Sequence, residues 1–241
     1  MSMYFVSQPK PFQHDFLVEI EAIFFPPGYL TFLQQFGAGT YRGWIYVHLP
    51  DSEVLKPFVE YDLWEHNEGS PITQQQIGEC IVIGTTIDGD FLAVHPEVDQ
   101  LLWLPRHADH VLTVQKSGVE DDEIFTVVLD NLYYQVYGEA QEGPMYYEPC
   151  SDSQNYHFLR LPPKEEGPTL QELAKMFKAA FLPDLIMENS YICKFFYQML
   201  GGYVTFNYAY GQEIAIKYEQ DKQQLYNDIE EWLVTKGSEN I

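Results

Sequence analysis

The stretch "CIVIGTTIDGDFLAVHP", Cys80 to Pro96, decides the fold. It sets Asp88-Gly89-Asp90 between two apolar runs. Such a cluster can serve a metal, a phosphate or a turn, and the spacing discriminates among them. An EF-hand calcium loop needs oxygen ligands at alternating positions, a Gly at the sixth and a bidentate Glu at the twelfth. Here the run passes after two acids into Phe91-Leu92. An Asp-Gly pair between apolar runs is instead a strong hairpin signal, because Gly adopts positive φ without a Cβ clash. The stretch is predicted as a hairpin of an antiparallel sheet, with Asp88 and Asp90 displayed on its rim.

Outward from that hairpin, the flanking segments keep the same character. "GWIYVHLP" (43–50) alternates like a strand, and "DQLLWLP" (99–105) and "HVLTVQ" (110–115) read as two more. Short strands this close together predict a mostly antiparallel sheet rather than repeated βαβ units. "FPPGYLTFLQQFGAGT" (25–40) predicts a helix, with Pro27 at its start, an apolar face of Tyr29, Leu30, Phe32, Leu33 and Phe36, and Gly37 as its cap. "HDFLVEIEAIF" (14–24) before it predicts a first helix ended by Pro26. In "EIFTVVLDNLYYQVYG" (123–138) the Val and Tyr content favours a strand. Its length and its place after a strand series favour a closing helix, which is the expectation here.

From about Glu139 the composition shifts to "GEAQEGPMYYEPCSDSQN" (138–155), which predicts a linker or long loop. Beyond it come a strand, "YHFLRLP" (156–162), and a helix, "LQELAKMFKAAFL" (170–182), with Thr169 and Glu172 forming a capping box. "MENSYICKFFYQML" (187–200) is expected to be a second helix, ending at Gly201-Gly202. "YVTFNYAYGQEIAIKYE" (203–219) predicts a hairpin turning near Gly211, and "DKQQLYNDIEEWLVTKG" (221–237) an amphipathic last helix. The expected organisation is a domain over 1–140 and a C-terminal α/β extension over 141–241, α+β in class.

Charge narrows the functions. The 241 residues hold 36 Asp and Glu against 13 Lys and Arg, a formal net charge of −23. Such a chain repels nucleic-acid phosphate and steers basic partners toward itself, so no nucleic-acid partner is expected. From Pro57 to Pro105 there is no Lys or Arg, while Glu60, Asp62, Glu65, Glu68, Glu79, Asp88, Asp90, Glu97 and Asp99 all occur. A second base-free stretch, 117–159, includes Asp121, Asp122 and Glu123. Solvated surface accounts for any one run; two long ones point to an acidic face. Cys80, Cys150 and Cys193 are odd in number and lack a C-x-x-C, which fits a reducing compartment. No basic leader followed by an apolar run opens the sequence, and no segment approaches about 18 apolar residues. A cytoplasmic protein without a membrane partner is expected.

Catalytic and metal chemistry find little purchase. Gly37, Gly39 and Gly43 follow a helix, whereas a phosphate loop precedes one and ends in Lys-Ser/Thr. His107 and His110 with Asp109 offer two metal ligands and no third motif. Cys150 and His157 lack the flanks of a nucleophile–base pair. No catalytic residue, metal or cofactor is expected. Aromatic residues among the acids, namely Trp44, Tyr46, Tyr61, Trp64 and Trp103, are for the most part expected in the core; those left exposed beside carboxylates would anchor a protein partner. The expected partner-binding set is Trp44, Tyr61, Asp62, Trp64, Glu65, Asp88, Asp90, Asp121, Asp122 and Glu123.

These segments resemble the SUKH superfamily. "FFPPGYLTFLQQFGAGT" (24–40) is similar to its opening signature, a Pro-started helix leading into a Gly turn. "IGTTIDGDFLAVHP" (83–96) is similar to its second, an Ile-Gly strand end, a Gly-Asp pair and an apolar strand. Trp44 after Gly43 and the strand "LLWLP" (101–105) fall where the family has further sheet elements. The resemblance covers roughly residues 12–140. Where the family has Gly-Gly-Asp this chain has Asp88-Gly89-Asp90, so only Gly89-Asp90 is kept. The resemblance implies an antiparallel sheet flanked by helices. It also implies binding rather than catalysis, since members include the yeast cell-wall-assembly regulator and bacterial immunity proteins that neutralise toxins, often nucleases. The leading expectation is an immunity protein whose acidic face blocks a basic toxin domain. A regulatory scaffold of envelope or signalling processes is the alternative, and an enzyme using carboxylates or His107 and His110 ranks behind both.

Overall fold

Gly89 turns the chain with φ 90° and donates its N–H to Thr86 O at 3.1 Å, and Thr86 N–H reaches Asp90 O at 3.0 Å. A turn closed by a Gly at positive φ matches the right-handed twist of the strands it joins. This hairpin is part of a computed structural model that describes residues 3–12, 25–114, 125–163, 167–209 and 211–241. The elements in chain order begin β1 (Tyr4–Phe5), α1 (Tyr29–Phe36), β2 (Gly39–Tyr41), β3 (Ile45–Asp51), β4 (Ile81–Thr86), β5 (Phe91–His95), β6 (Val98–Leu104), β7 (Leu112–Val114) and α2 (Phe125–Tyr137). They continue β8 (Tyr146–Pro149), β9 (Gln154–Arg160), α3 (Leu170–Ala180), β10 (Leu185–Glu188), β11 (Ile192–Tyr197), β12 (Gly202–Asn207), β13 (Glu213–Glu219), α4 (Gln223–Thr235) and β14 (Glu239–Asn240). The class is α+β with mostly antiparallel pairing. The helix expected over 14–24 lies outside the described residues.

The chain divides into two compact units, Pro9–Glu142 and Gly143–Ile241 with Met1–Gln8. The first eight residues thus part from the 1–140 segment, because Tyr4 and Phe5 pair in parallel with Tyr146 and Tyr147.

In the Pro9–Glu142 unit, β2 to β7 lie side by side in chain order, each antiparallel to the next. β4 is apolar on both faces, with Val82 and Ile83 fully buried. A strand covered on both sides reads as a continuous apolar run, which explains "CIVIG". On one side α1 and α2 meet through Tyr29 and Phe32, whose rings lie 5.2 and 5.6 Å from Phe125. Tyr41 Oη and Arg42 Nη1 bind Asp130 of α2 at 2.9 and 3.1 Å. At the end of α1, Gly37 takes φ 72° and donates to Leu33 O at 2.9 Å. A Cβ there would stand 2.1 Å from Lys10 O, so the cap admits only glycine. The opposite side of the sheet is covered by the excursion between β3 and β4. Its Leu55, Trp64, Ile72 and Ile77 cluster with Val82, Ala93, Leu102 and Leu104.

In the other unit the sheet order is β10-β11-β12-β13-β9-β14. One face carries the larger core, in which Leu173 and Phe177 of α3 and Ile229 and Leu233 of α4 pack on Phe195, Val204, Phe206 and Ile216. α3 begins at the predicted box, where Glu172 N–H donates to Thr169 Oγ1 at 3.2 Å and Thr169 N–H to Glu172 Oε2 at 2.9 Å. On the other face Val6, Tyr146 and Phe196 form a smaller cluster.

Two expectations are corrected here. Residues 187–200 are not a helix: β10 and β11 form a hairpin, with Met187 paired to Lys194. Asn189 Oδ1 accepts the N–H of Tyr191 at 2.9 Å and of Ile192 at 3.0 Å, a side-chain turn that competes with helix. Cys193, Phe195 and Tyr197 then enter the helix-covered core while Phe196 joins the opposite cluster, which is the period of a strand. Nor is 138–155 all linker. Tyr146 and Tyr147 are buried because β8 pairs with β1.

Candidate partner-binding surface

Between β3 and β4 the chain leaves the sheet for residues 52–80, with two short 3-10 turns, Lys56–Glu60 and Gln75–Glu79. Besides Leu55, Ile72 and Ile77, a buried tryptophan anchors this excursion. Trp64 is 3% exposed, its ring lies 6.0 Å from Phe58, and its Nε1–H donates to Pro105 O at 2.8 Å. The next residue, Glu65, donates its N–H to Asp109 O at 2.6 Å. From the other side, Gln74 Nε2 reaches the carbonyls of Phe58, Val59 and Tyr61 at 3.2, 2.8 and 2.7 Å. The backbone of 58–65 is thereby tied to two neighbouring segments, independently of any ligand.

Above that peg, the side chains face water. Tyr61 is 57% and Leu63 50% exposed, and Asp62 and Glu65 are exposed beside them. Glu53, Glu60 and Glu68 of the same excursion are also exposed. Its one base, Lys56, is spent on Glu53 at 2.5 Å. An aromatic and an aliphatic side chain, held on a fixed backbone and ringed by carboxylates, can dock a protein surface bearing Lys and Arg. His110 Nδ1 lies 3.7 Å from Glu65 Oε2.

The structure divides the expected residues into two groups. Tyr61, Asp62, Trp64 and Glu65 belong to the excursion. Trp44, Asp88 and Asp90 meet at the hairpin, where Ile87 N–H donates to Trp44 O at 3.1 Å. Three of the set are inside the fold and are corrected accordingly. Trp44 packs at 5.1 Å from Tyr133 and 6.2 Å from Tyr137 of α2, and Trp64 is the peg just described. Asp90 is buried, its carboxylate accepting from Thr86 Oγ1 at 2.9 Å and from Arg106 N–H at 2.8 Å. That carboxylate fixes the turn and is not displayed to a partner. Asp88 is exposed. Asp121, Asp122 and Glu123 lie outside the described residues.

A cleft of about 320 Å³ is lined by Thr40 of β2, Tyr46 and His48 of β3, Thr85 and Thr86 of β4, and Ile87. His48 Nε2 lies 2.7 Å from Thr85 Oγ1, and burial holds the imidazole below its usual pKa despite Asp51. The lining supplies hydroxyls and a neutral ring, a hydrogen-bonding surface with no nucleophile of raised reactivity. Burial, with Glu79 nearby, pushes the Cys80 thiol up to about 12, so it stays protonated. Among the described residues no group of three or more His, Cys, Asp or Glu is placed to hold a metal, and no helix is long and apolar enough to cross a membrane.

Leu63, Gln74 and the exposed Ile87 escaped the sequence reading. Leu63 was recoverable, since Tyr61, Leu63 and Glu65 alternate with Trp64 in a segment whose core residue is the tryptophan. Gln74 was not, because nothing local ties it to carbonyls some fifteen residues earlier. Compared with known proteins, the chain matches no family model, no curated protein and no solved structure.

Proposed function

We propose that this chain is a non-catalytic protein-binding module that captures a basic protein. In the form suggested by the SUKH resemblance it is a cytoplasmic immunity protein that neutralises a cognate toxin domain, such as a nuclease. The observation that carries this reading is the Tyr61–Glu65 segment, an exposed aromatic–acidic surface on a buried tryptophan. Its carboxylates would pair with the Lys and Arg that line a nuclease's phosphate site, while Tyr61 and Leu63 fill the apolar space between them. Steering by a net charge of −23 would make encounter fast.

The test is the association rate with a basic toxin domain encoded beside this chain, measured by stopped-flow over a range of salt. The rate is expected to fall at least tenfold as ionic strength rises from about 0.02 to about 0.5 M, since screening at the upper end confines the field to a few ångströms. A rate indifferent to salt removes the electrostatic mechanism. Capture of a neutral or acidic envelope or signalling protein in place of a basic one would favour the regulatory scaffold.

A further inference from the structure

The sheet of the Gly143–Ile241 unit has one face committed to α3 and α4 and another that carries Lys194, Lys217 and, toward one end of β9, Arg160, which lies 3.7 Å from Glu239. The register sets residues of this second face in rows. Phe196, Tyr203, Lys217 and Tyr156 stand across β11, β12, β13 and β9, and the next row is Lys194, Thr205, Ala215 and Phe158. The two lysines are treated differently. Lys217 is 5% exposed and its Nζ contacts Glu148 Oε1 of β8, so its charge is compensated within the fold. Lys194 is half-buried, its Nζ lies 4.2 Å from the centre of the Tyr203 ring and 5.7 Å from that of Phe196, and no carboxylate of the described residues forms an ion pair with it. In a chain with 36 acids and 13 bases, a cation left in apolar surroundings without a counter-charge is an exception.

Beyond Lys194 the row descends to two small side chains, Thr205 and Ala215, and rises again at Phe158, three strand spacings or about 14 Å away. Phe158 is 45% and its neighbour Tyr156 55% exposed, with rings only 12° from parallel and 6.4 Å apart. From Met187 of β10 the row thus passes an unpaired cation, a low floor of Thr205, 9% exposed, and half-buried Ala215, and then an open aromatic surface. We propose that this row is a binding site for a small organic anion, a carboxylate joined by a short apolar chain to an aromatic ring. The carboxylate would pair with Lys194, the chain would lie over Thr205 and Ala215, and the ring would stack on Phe158.

The charge is the recognition element, and it is titratable. Burial holds the Lys194 ammonium down to about 8. The groups that share this face are Lys217, Glu148, Glu219, Tyr146, Tyr203 and Tyr156, and in the following row Glu213 accepts from Asn207 Nδ2 at 3.3 Å while Arg160 lies 3.7 Å from Glu239. Burial, with smaller contributions from Tyr156 and Tyr146, raises the Tyr203 phenol, and burial also raises that of Tyr156, so both stay neutral as Lys194 loses its proton. An anion bound at Lys194 would favour the charged lysine, so binding above pH 8 takes up a proton.

The experiment uses the full chain and 4-phenylbutyrate as the probe, followed by chemical-shift changes, with butyrate and 4-phenylbutanol as controls. Saturable shifts centred on Lys194, Thr205 and Phe158 are expected at pH 7, with binding at least tenfold weaker for each control and weakening progressively above pH 8. Lys194→Met should weaken the phenylbutyrate complex at least tenfold, while Lys194→Arg, which keeps the charge, should retain it. Equal binding of 4-phenylbutanol would mean an apolar patch only. Undiminished binding by folded Lys194→Met, or no shifts on this face, would mean that Lys194 is a cation–π staple only. Either outcome overturns the proposal.

Discussion

Trp64→Ala is expected to destabilise the Pro9–Glu142 unit by about 3–5 kcal/mol, the usual range for deleting a large buried aromatic side chain. Trp64 is 3% exposed and belongs to the cluster of Leu55, Ile72, Ile77, Leu102, Leu104 and Val111, none of which can collapse into the space without moving the sheet or the excursion. The same change orphans Pro105 O, which now accepts from Trp64 Nε1 at 2.8 Å. A second consequence follows from position. Tyr61, Asp62, Leu63 and Glu65 owe their fixed backbone to this peg, so partner affinity should fall although Trp64 itself is hidden from the partner. Trp64→Phe separates the two contributions, restoring most of the packing without the N–H donor, and should recover more than half of the lost stability. A urea midpoint followed by circular dichroism checks the first effect. A Trp64→Ala midpoint within error of the parent's would show that the excursion does not depend on the peg.

Lys217→Met is expected to cost the Gly143–Ile241 unit about 3–5 kcal/mol, because it strands a buried carboxylate. Lys217 and Glu148 have side chains 7% and 11% exposed. Burial lowers the Lys217 pKa to about 8, Glu219 opposes that shift, and Nζ is in direct contact with Glu148 Oε1. Without Lys217, Glu148 must either remain charged in a buried position or take up a proton. Its folded pKa would then rise above the unfolded value. A carboxylate with a raised folded pKa binds more protons in the native state, so stability falls as pH rises between the two values. The deficit of Lys217→Met should therefore shrink on acidification, and the double variant Lys217→Met/Glu148→Gln should regain most of the loss at neutral pH. Denaturant titrations at about pH 5 and pH 8 distinguish this from a packing defect, which would be pH-independent and unrescued.

Residues whose structure is set locally were legible from the sequence. The Asp88-Gly89 turn needs only a positive φ between two apolar runs, and the Thr169–Glu172 box closes within four residues. Class and sheet direction followed from such features. The missed hairpin over 187–200 shows where local reading stops. Ile192, Phe195, Phe196 and Met199 stand at helical spacing, yet the same run also alternates as a strand. Pairing with β12 decided between them, and that partner lies beyond Gly201. The candidate surface was half legible for a related reason. Composition marked the acidic run and its aromatics, but a tryptophan among carboxylates can be an anchor or a peg. Trp44 and Trp64 proved to be pegs while Tyr61 faces water, because each indole found apolar partners across the fold: Tyr133 of α2 for Trp44, and Val82, Ala93 and Leu102 of the sheet for Trp64. The clamp from Gln74 had no local signature.

Whether Tyr61–Glu65 docks a basic protein is decided by the affinity of Tyr61→Ala/Asp62→Asn/Glu65→Gln for a basic domain captured by the parent chain. All three side chains are exposed, so the fold should be unaffected and the comparison clean. A dissociation constant at least a hundredfold weaker is expected at physiological salt, the loss of one aromatic anchor and two charge pairs. An unchanged dissociation constant, with the variant folded as the parent, would contradict it and place the interface elsewhere.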